Sequence, residues 1–596
     1  MNMKVKTKLR KFAAVVLLIG GTSACEDFME YQPYNAGDTS SFWKTEADVK
    51  SALNAFYAFA NSEDCSGRGH YWYENCSDNM ITGRTNVQAD RIRNFQMSPN
   101  ERSDFREIWK HMYAVVAKAN AVLLNVPKMT GLSKAVADNA MGQAYFMRGF
   151  AYLWLCPWLA DMNNGGLPIM DENVKVEDLD MPRPTPEQGG ILANYDMMLS
   201  DFRKAIPLLP SYSELVGSER GRPHKTAAYA FAARAALLAA QYGPLGKNPT
   251  KEGMPYTVTT DYFAVVIEMC TAIIDGLSGA DKRELHTLAA GHDFNDPKTN
   301  SYGLPASNFS DLFRVENNFS KEYIYSMVGN GAAGTGPKFH GMSFYNAGFN
   351  GYNTWGYFSP TAELYKAFED GDTRRDATIL SPGQSIIHPT TTGVNRIIRL
   401  AVPGDAGDVR ADVGNYQTGL INRKMHSVYE TEGGFGVVYS TSGDGLQNDL
   451  GTVVMRYADV LLMKAEALIW TKGEGDAEAA GLINQVRVRA GLPANSGATL
   501  AQLKNERRCE FAFEFFPSRH LDLIRWGDAK EAYNKPVHGF VVKFKNVDGN
   551  PYVFDPSEEK EVWGPRTFDL VKNNVFPIHG DILSASQGIL KQNKGY

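Results

Sequence analysis

The sequence predicts a mainly α protein: a tetratricopeptide-like scaffold of helical hairpins carrying long inserted loops and a few short strands. Three observations carry that expectation. Apolar residues recur at three-and-four spacing in paired segments, the mark of helices that bury one face. In the first two pairs the helices start roughly 34 residues apart, the tetratricopeptide period. Between the pairs lie irregular stretches, 61–103, 161–187 and 288–454, too long for simple connections. Stretches of that length in a compact protein carry function or small sheets of their own.

With 596 residues, 43% of them hydrophobic, the chain can fill one large domain or two or three ordinary ones, and no clean linker divides it. Aromatic content of 11% together with 55 Gly points to a globular body with ordered loops rather than a disordered chain. A formal net charge of −6 excludes a broad basic surface. Nucleic acid is therefore not an expected partner, because backbone phosphates require clustered Lys and Arg.

The N-terminus is basic, with Lys4, Lys6, Lys8, Arg10 and Lys11, and then apolar from Phe12 to Ile19. Small residues from Gly20 to Ala24 lead to Cys25. This is the build of a secretory signal, residues 1–24, with an apolar run too short to span a bilayer. Small residues directly before a cysteine resemble a bacterial lipobox, in which Cys25 is acylated and becomes the mature N-terminus. The alternative is an ordinary signal peptide whose cleavage site falls near a cysteine. Glu26 and Asp27 follow at once and resemble the acidic signal that sends some Gram-negative lipoproteins to the outer face. Lipid is then the expected anchor, since no second apolar stretch is long enough to cross a membrane.

Five cysteines remain, an odd number that cannot all pair. Cys65 and Cys76 bracket a loop rich in glycine and aromatics and could pair in an oxidising compartment, a choice the sequence leaves open. Cys156, Cys270 and Cys509 fall in apolar helical runs and read as buried thiols. No Cys/His cluster has zinc spacing, so no metal is expected.

The helices follow in order. From Asp104, one face is formed by Phe105, Ile108, Trp109, Met112, Tyr113, Val116, Asn120 and Leu123. A second helix runs from Ala135 to Leu159, with Pro157 disrupting its end. The Ala-rich segment Thr226–Tyr242 and the segment Asp261–Leu277 make the next pair. A third pair spans Arg456–Trp470 and Ala477–Ala490, and a further helix runs from Leu500 to Phe516. Short strands are expected at Tyr323–Val328 and Val541–Phe544.

Catalytic motifs are missing. Gly329 to Gly334 matches Gly-x-Gly-x-x-Gly after an expected strand, but Thr335-Gly336-Pro337 follows where a dinucleotide site needs a helix. It reads as a glycine loop. No Gly-x-Ser-x-Gly elbow, P-loop or His-Glu-x-x-His is present. Asp548-Gly549-Asn550 and Asp370-Gly371-Asp372 are turn sequences without calcium-loop spacing. No cofactor and no catalytic residue is expected.

Two loops are instead rich in aromatics and amides. The first supplies Tyr71, Trp72, Tyr73, Asp78 and Asn79; the second supplies Tyr345, Tyr352, Trp355 and Tyr357. Sugar rings have apolar C–H faces and a hydroxyl fringe. Flat aromatics cover the face, while amides and acids bond the edge. For Tyr71, Trp72 and Tyr73, ligand binding and packing of the loop base are equally weighted. For Tyr352, Trp355 and Tyr357 the interleaved Gly and Asn favour binding. Phe344 and Phe358 read as packing.

Several segments taken together resemble the SusD/RagB family. Glu506-Arg507-Arg508-Cys509-Glu510-Phe511-Ala512-Phe513-Glu514 and Arg519 to Gly527 carry the strongest likeness. Arg106 to Trp109, Gln143 to Phe150 with Gly166-Leu167-Pro168, Gly221-Arg222, Arg456 to Leu462, and the tail Leu590 to Tyr596 agree in order. Gln143 departs from a usual acidic residue and Lys594 from a usual proline. The resemblance implies a SusD-like fold over 25–596, with an N-terminal helical part about 25–240 and a C-terminal family region about 260–596. It also implies a lipid-anchored, surface-facing outer-membrane protein that binds an oligo- or polysaccharide without altering it. The implied partner is a TonB-dependent, SusC-like transporter that the protein covers as a lid. Alternatives are a peptide-binding member of the same family, a surface glycosidase and a helical-repeat interaction protein.

Glu506, Glu510 and Glu514 share one helix face, and three like charges repel unless cations intervene. A salt-bridged network with Arg508, Arg519 and Arg525 is the expectation, against a carboxylate pair for glycoside hydrolysis.

Overall fold

The computed structural model describes residues 42–66, 72–82, 87–174, 181–242, 256–288, 307–313, 317–328, 359–388, 396–404, 417–424, 429–431, 434–436, 451–514, 516 and 518–596; the side chains at 63, 218, 386–388, 396–398, 429–431 and 434–436 are excepted. Eight helices pack each on the next in one unbroken series. They are α1 (Glu46–Ala60), α2 (Ser103–Asn125), α3 (Lys134–Leu159), α4 (Ile191–Leu208), α5 (Lys225–Ala240), α6 (Tyr262–Ile274), α7 (Tyr457–Lys472) and α8 (Ala477–Arg489). Two more, α9 (Leu500–Phe511) and α10 (Arg519–Trp526), complete the C-terminal part, and α9 seats on α7 and α8.

Two members of the series, α1 and α4, were not among the predicted helices, although the sequence carries their signals. Thr45 caps α1 in a reciprocal box with Asp48, and Val49, Leu53, Phe56 and Ala60 follow at helical spacing and are buried. In α4 the buried face is Ile191, Leu192, Tyr195, Met198, Leu199, Phe202 and Ala205. Two other expectations shift. Pro157 lies inside the last turn of α3, which continues to Leu159. The helix expected to reach Phe516 ends at Phe511, after which Phe513 takes a left-handed φ of 62° and Glu514 turns toward Lys424 and Arg456.

Close approach fixes the middle of the series. A Cβ on Gly149 of α3 would lie 2.9 Å from the Phe202 ring of α4, so a larger residue there would push the two helices apart. The buried alanines of α5 serve the same end. Phe146, Phe150, Phe202, Phe231 and Tyr325 meet in a tilted and edge-on aromatic cluster where α3, α4, α5 and the strand at 323 converge.

Among the described residues every sheet is an antiparallel pair. The strands that matter are β1 (Met80–Ile81), β2 (Tyr323–Met327), β3 (Ser359–Pro360), β4 (Ile379–Leu380), β5 (Ile421–Asn422), β6 (Thr452–Arg456), β7 (Val537–Phe540), β8 (Phe544–Val547), β9 (Asn550–Phe554) and β10 (Glu559–Trp563). β2 appears where the sequence predicts it. The strand expected at Val541–Phe544 does not form: Val541 to Lys543 connect β7, which pairs with β10, to β8, which pairs with β9. The alternation there is split because two nested hairpins share the segment. Asp548 and Gly549 turn the inner one with φ of 52° and 85°, the pattern of a two-residue hairpin turn.

Candidate functional site

The three glutamates of α9 and its exit are enclosed. Glu506, Glu510 and Glu514 are at most 2% exposed. Arg374 donates to Glu506 (2.5 Å) and Glu510 (2.9 Å); Arg456 donates to Glu510 (2.5 Å), Glu514 (2.7 Å) and Glu322 (2.7 Å). Lys424 donates to Glu514 (2.7 Å), Arg487 to Glu506 (3.3 Å), and Arg489 to Glu322 (2.9 Å) and Glu510. With Asp372 on Arg374, five carboxylates meet five cations. Burial alone would raise the Glu510 carboxyl, but Arg489, Arg456 and Arg374 outweigh it and hold the group well below the usual range. Burial pulls the Lys424 ammonium down to about 8 in spite of Glu514.

A network was expected here, but its partners were not Arg508, Arg519 and Arg525. Those arginines serve other groups. Arg508 and Arg519 reach Asp78, and Arg525 reaches Glu466 and Asp522. The true partners come from far along the chain, beyond the reach of helical spacing. Glu322 precedes β2, Lys424 follows β5 and Arg456 ends β6, and Glu369 adds a sixth carboxylate on Arg487 (2.6 Å), so one ion-paired cluster ties the bases of these segments to α9.

The first aromatic loop has a packed stem. Trp72 is 5% exposed with the Arg102 guanidinium 4.3 Å from its ring centre. Tyr73 is 1% exposed and stacks between Phe105 (4.6 Å) and Trp158 (4.7 Å). Asn79 is 4% exposed and accepts from Arg508 Nε at 2.8 Å. Asp78, half-buried, accepts from Arg519 at 2.8 and 3.0 Å. Of these four, expected among the ligand contacts, the rings of Trp72 and Tyr73 pack in the loop stem, the packing alternative weighed for them, and the side chains of Asp78 and Asn79 bond to Arg519 and Arg508. Burial would raise the Asp78 carboxyl, but Arg508 and Arg519 hold it below the usual range. Glu74 adds a second tie, accepting from the Arg519 N–H (3.1 Å) at the start of α10 and from the Ser518 hydroxyl. Burial pushes its carboxyl up to about 8.

The pairing left open between Cys65 and Cys76 is not made. Cys65 and Cys76 are buried free thiols, and Cys76 donates to the Tyr73 carbonyl at 3.0 Å. Burial raises both thiols well above their ordinary range, which keeps them protonated and unreactive. Cys156, Cys270 and Cys509 are buried and free, as the apolar helices predicted. Tyr71, Tyr345, Tyr352, Trp355, Tyr357, the glycine run 329–334 and Cys25 lie outside the described residues.

What the tertiary structure adds is the pairing of the short strands that follow the two loops in sequence. β1 pairs with β3, Met80 opposite Pro360 and Ile81 opposite Ser359. Thr361 seals the pair, its N–H on the Asn79 carbonyl (3.1 Å) and its hydroxyl on the Asp78 carbonyl (3.0 Å). The first aromatic loop therefore shares a base with the C-terminal end of the 329–358 segment, although about 280 residues separate them in sequence. β3 also packs on β5, which pairs with β4. Segment 329–358 leaves the end of β2 at which segment 437–450 enters β6, since Met327 faces Thr452. No single-sequence signal pairs such short strands.

Among the described residues no helix is long and apolar enough to cross a membrane, and no cluster of His, Cys, Asp and Glu could hold a metal ion.

Two family models match the chain: one described as the SusD family over residues 306–596, the other as starch-binding associating with outer membrane over 27–237. The chain is similar to SusD-like protein P2 of Formosa agariphila, with 23% identity over 99% of this chain and 100% of that one. Its fold is similar to the crystal structure of a SusD-like protein from Bacteroides fragilis, with a TM-score of 0.67 and 22% identity over 94% of this chain and 98% of the other. It is also similar to surface glycan-binding protein A from Bacteroides thetaiotaomicron in complex with laminarihexaose, with a TM-score of 0.62 and 18% identity over 92% and 99% of the two chains.

Proposed function

Because the chain belongs to the SusD/RagB family, we propose that it binds an oligo- or polysaccharide at the outer membrane and delivers it, unaltered, to a TonB-dependent SusC-like transporter. In this reading residues 1–24 are removed, Cys25 carries the lipid, and 25–596 form one domain facing outward. The observation that carries the binding role is the match to the SusD family and starch-binding models, together with the likeness to a solved glycan-binding protein holding laminarihexaose; the β1–β3 pairing joins the chain at the ends of the two aromatic, amide-rich sequences. The solved relative holding laminarihexaose supports a glucan as the first ligand to try.

A hydrolytic role is disfavoured by the site chemistry. Acid–base cleavage needs carboxyl groups that flank a glycosidic bond in an open cleft. Glu506, Glu510 and Glu514 are instead shut in among arginines. Incubated with β-glucans and other surface polysaccharides, the purified protein is expected to retain at least one polymer in affinity electrophoresis and to release no shorter products on chromatography. Failure to retain any polymer would count against glycan binding, and cleavage that tracks the protein would restore the glycosidase.

Membrane attachment has a separate test. Cys25→Ala is expected to move the protein into the soluble fraction in cells lacking the transporter, where protein contact cannot hold it. Unchanged membrane fractionation there would remove the lipid anchor from the reading.

A further inference from the structure

Away from the loop stems, the outer face of α2 carries a cleft of about 450 Å³, within the range of small-ligand sites. Trp109 and Tyr113, with ring centres 4.9 Å apart and planes at 34°, make one corner. Val116, Ala117, Ala121 and Leu124 continue that wall along the same helix stripe. The facing wall comes from Pro168, Met170, Val174 and Met181, and the third from Ile589 and Leu590 near the C-terminus. Leu124 and Ile589 are large apolar side chains left 46% and 38% exposed at its lips.

The cleft is preformed. Tyr113 and Tyr152 both donate to the Pro168 carbonyl (2.9 Å each), the Met170 N–H donates to Tyr152 (2.8 Å), and Asn120 donates to the Met170 carbonyl (3.1 Å). Its charge is one-sided. Glu172 accepts from Arg148 at 2.6 Å, but Asp201 holds the same guanidinium through two further bonds, so the two acids share one cation. Asp171, beside it, accepts from the Asn173 N–H (2.8 Å), and among the described residues no cation pairs with it.

We propose that this cleft is a binding site for a cationic amphiphile, an alkyl or aryl body seated against Trp109, Tyr113 and the methionines with its ammonium at Asp171. Most of the lining is apolar, and the side-chain amide of Asn120 is already bonded to Met170 and Arg148, so an alkyl or aryl body matches the walls better than a ring of hydroxyls. A cleft of this volume suits one small molecule rather than a protein surface, which buries a far larger area. Among the described residues the charged side chains lining the cleft are the carboxylates Asp171 and Glu172, which favour a cation over an anion.

Titration calorimetry of the purified protein with hexyl-, octyl- and decylammonium, below micelle formation, tests it. One site is expected, tightening about fourfold for each added methylene until the cleft is filled. Ala121→Trp, which places an indole in the cleft, is expected to weaken octylammonium binding more than tenfold with an unchanged melting temperature. Asp171→Asn is expected to weaken ammonium binding up to about fivefold and leave the matching alcohol unaffected. Absence of saturable binding overturns the proposal, as does binding that Ala121→Trp leaves intact. Equal loss of alcohol and ammonium in Asp171→Asn overturns the assignment of a cationic ligand.

Discussion

Replacing Glu510 by Gln is expected to destabilise the fold by about 3–5 kcal/mol, because it leaves buried cations without their counter-charge. Glu510 accepts from Arg374, Arg456 and Arg489, each at most 3% exposed in its side chain. Water cannot reach these guanidinium groups to compensate, and the surrounding carboxylates are already shared. A loss of that size is a large part of the total stability of a typical domain, about 5–15 kcal/mol. The control is Glu531→Gln, which removes an ion pair with Lys535 whose side chains are 80% and 65% exposed. That change is expected to fall within about 0.5 kcal/mol of zero. Denaturant unfolding of the two variants decides the matter, and a Glu510→Gln cost no larger than the control would mean that the cluster relaxes around the missing charge.

The same cluster has a pH signature. The Glu510 carboxyl is depressed in the fold, so its contribution is fully present above the ordinary glutamate range and is lost as pH falls through the folded value. In Glu510→Gln that part of the acid sensitivity is expected to vanish.

Trp355→Ala and Trp72→Ala are expected to fail in opposite ways. Trp355 is the aromatic proposed to cover a sugar face, and losing a hot-spot ring costs about 2 kcal/mol or more of binding. That is on the order of a thirtyfold loss of affinity, with thermal unfolding unchanged. Trp72 is packed in the stem beneath Arg102. Its truncation is expected to cost about 3–5 kcal/mol of stability, and affinity is expected to fall only as the loop base loosens. Calorimetric titration with the retained polysaccharide, run beside thermal unfolding, separates the two. Normal binding by Trp355→Ala would place the sugar platform elsewhere on the loops.

Trp72 and Trp355 also show where sequence and tertiary structure divide. Both sit among aromatics and amides, and local composition leaves Trp72 evenly weighted between binding and packing while favouring binding for Trp355. What separates Trp72 is the meeting of its loop with Phe105, Trp158 and the arginines of α9 and α10, none of them near it in sequence.

The helical scaffold was legible because an apolar stripe repeats every turn, and the short-range steric and hydrophobic preferences behind it act within one segment. That is why α2, α3, α5, α6, α7 and α8 fall close to their predicted bounds. Even α1 and α4, though not predicted, carry a cap or a stripe that could have revealed them. The carboxylates on α9 were equally visible as a face needing cations. Which cations answer it was decided only in three dimensions. Coulomb attraction depends on distance in space, and Arg374, Lys424 and Arg456 reach Glu506, Glu510 and Glu514 only after the 288–454 stretch and the strand that ends it fold back on α9. The pairing of β1 with β3 has the same origin. Two-residue strands have no periodicity to read, and their hydrogen bonds form only where the scaffold has already brought the chain segments together.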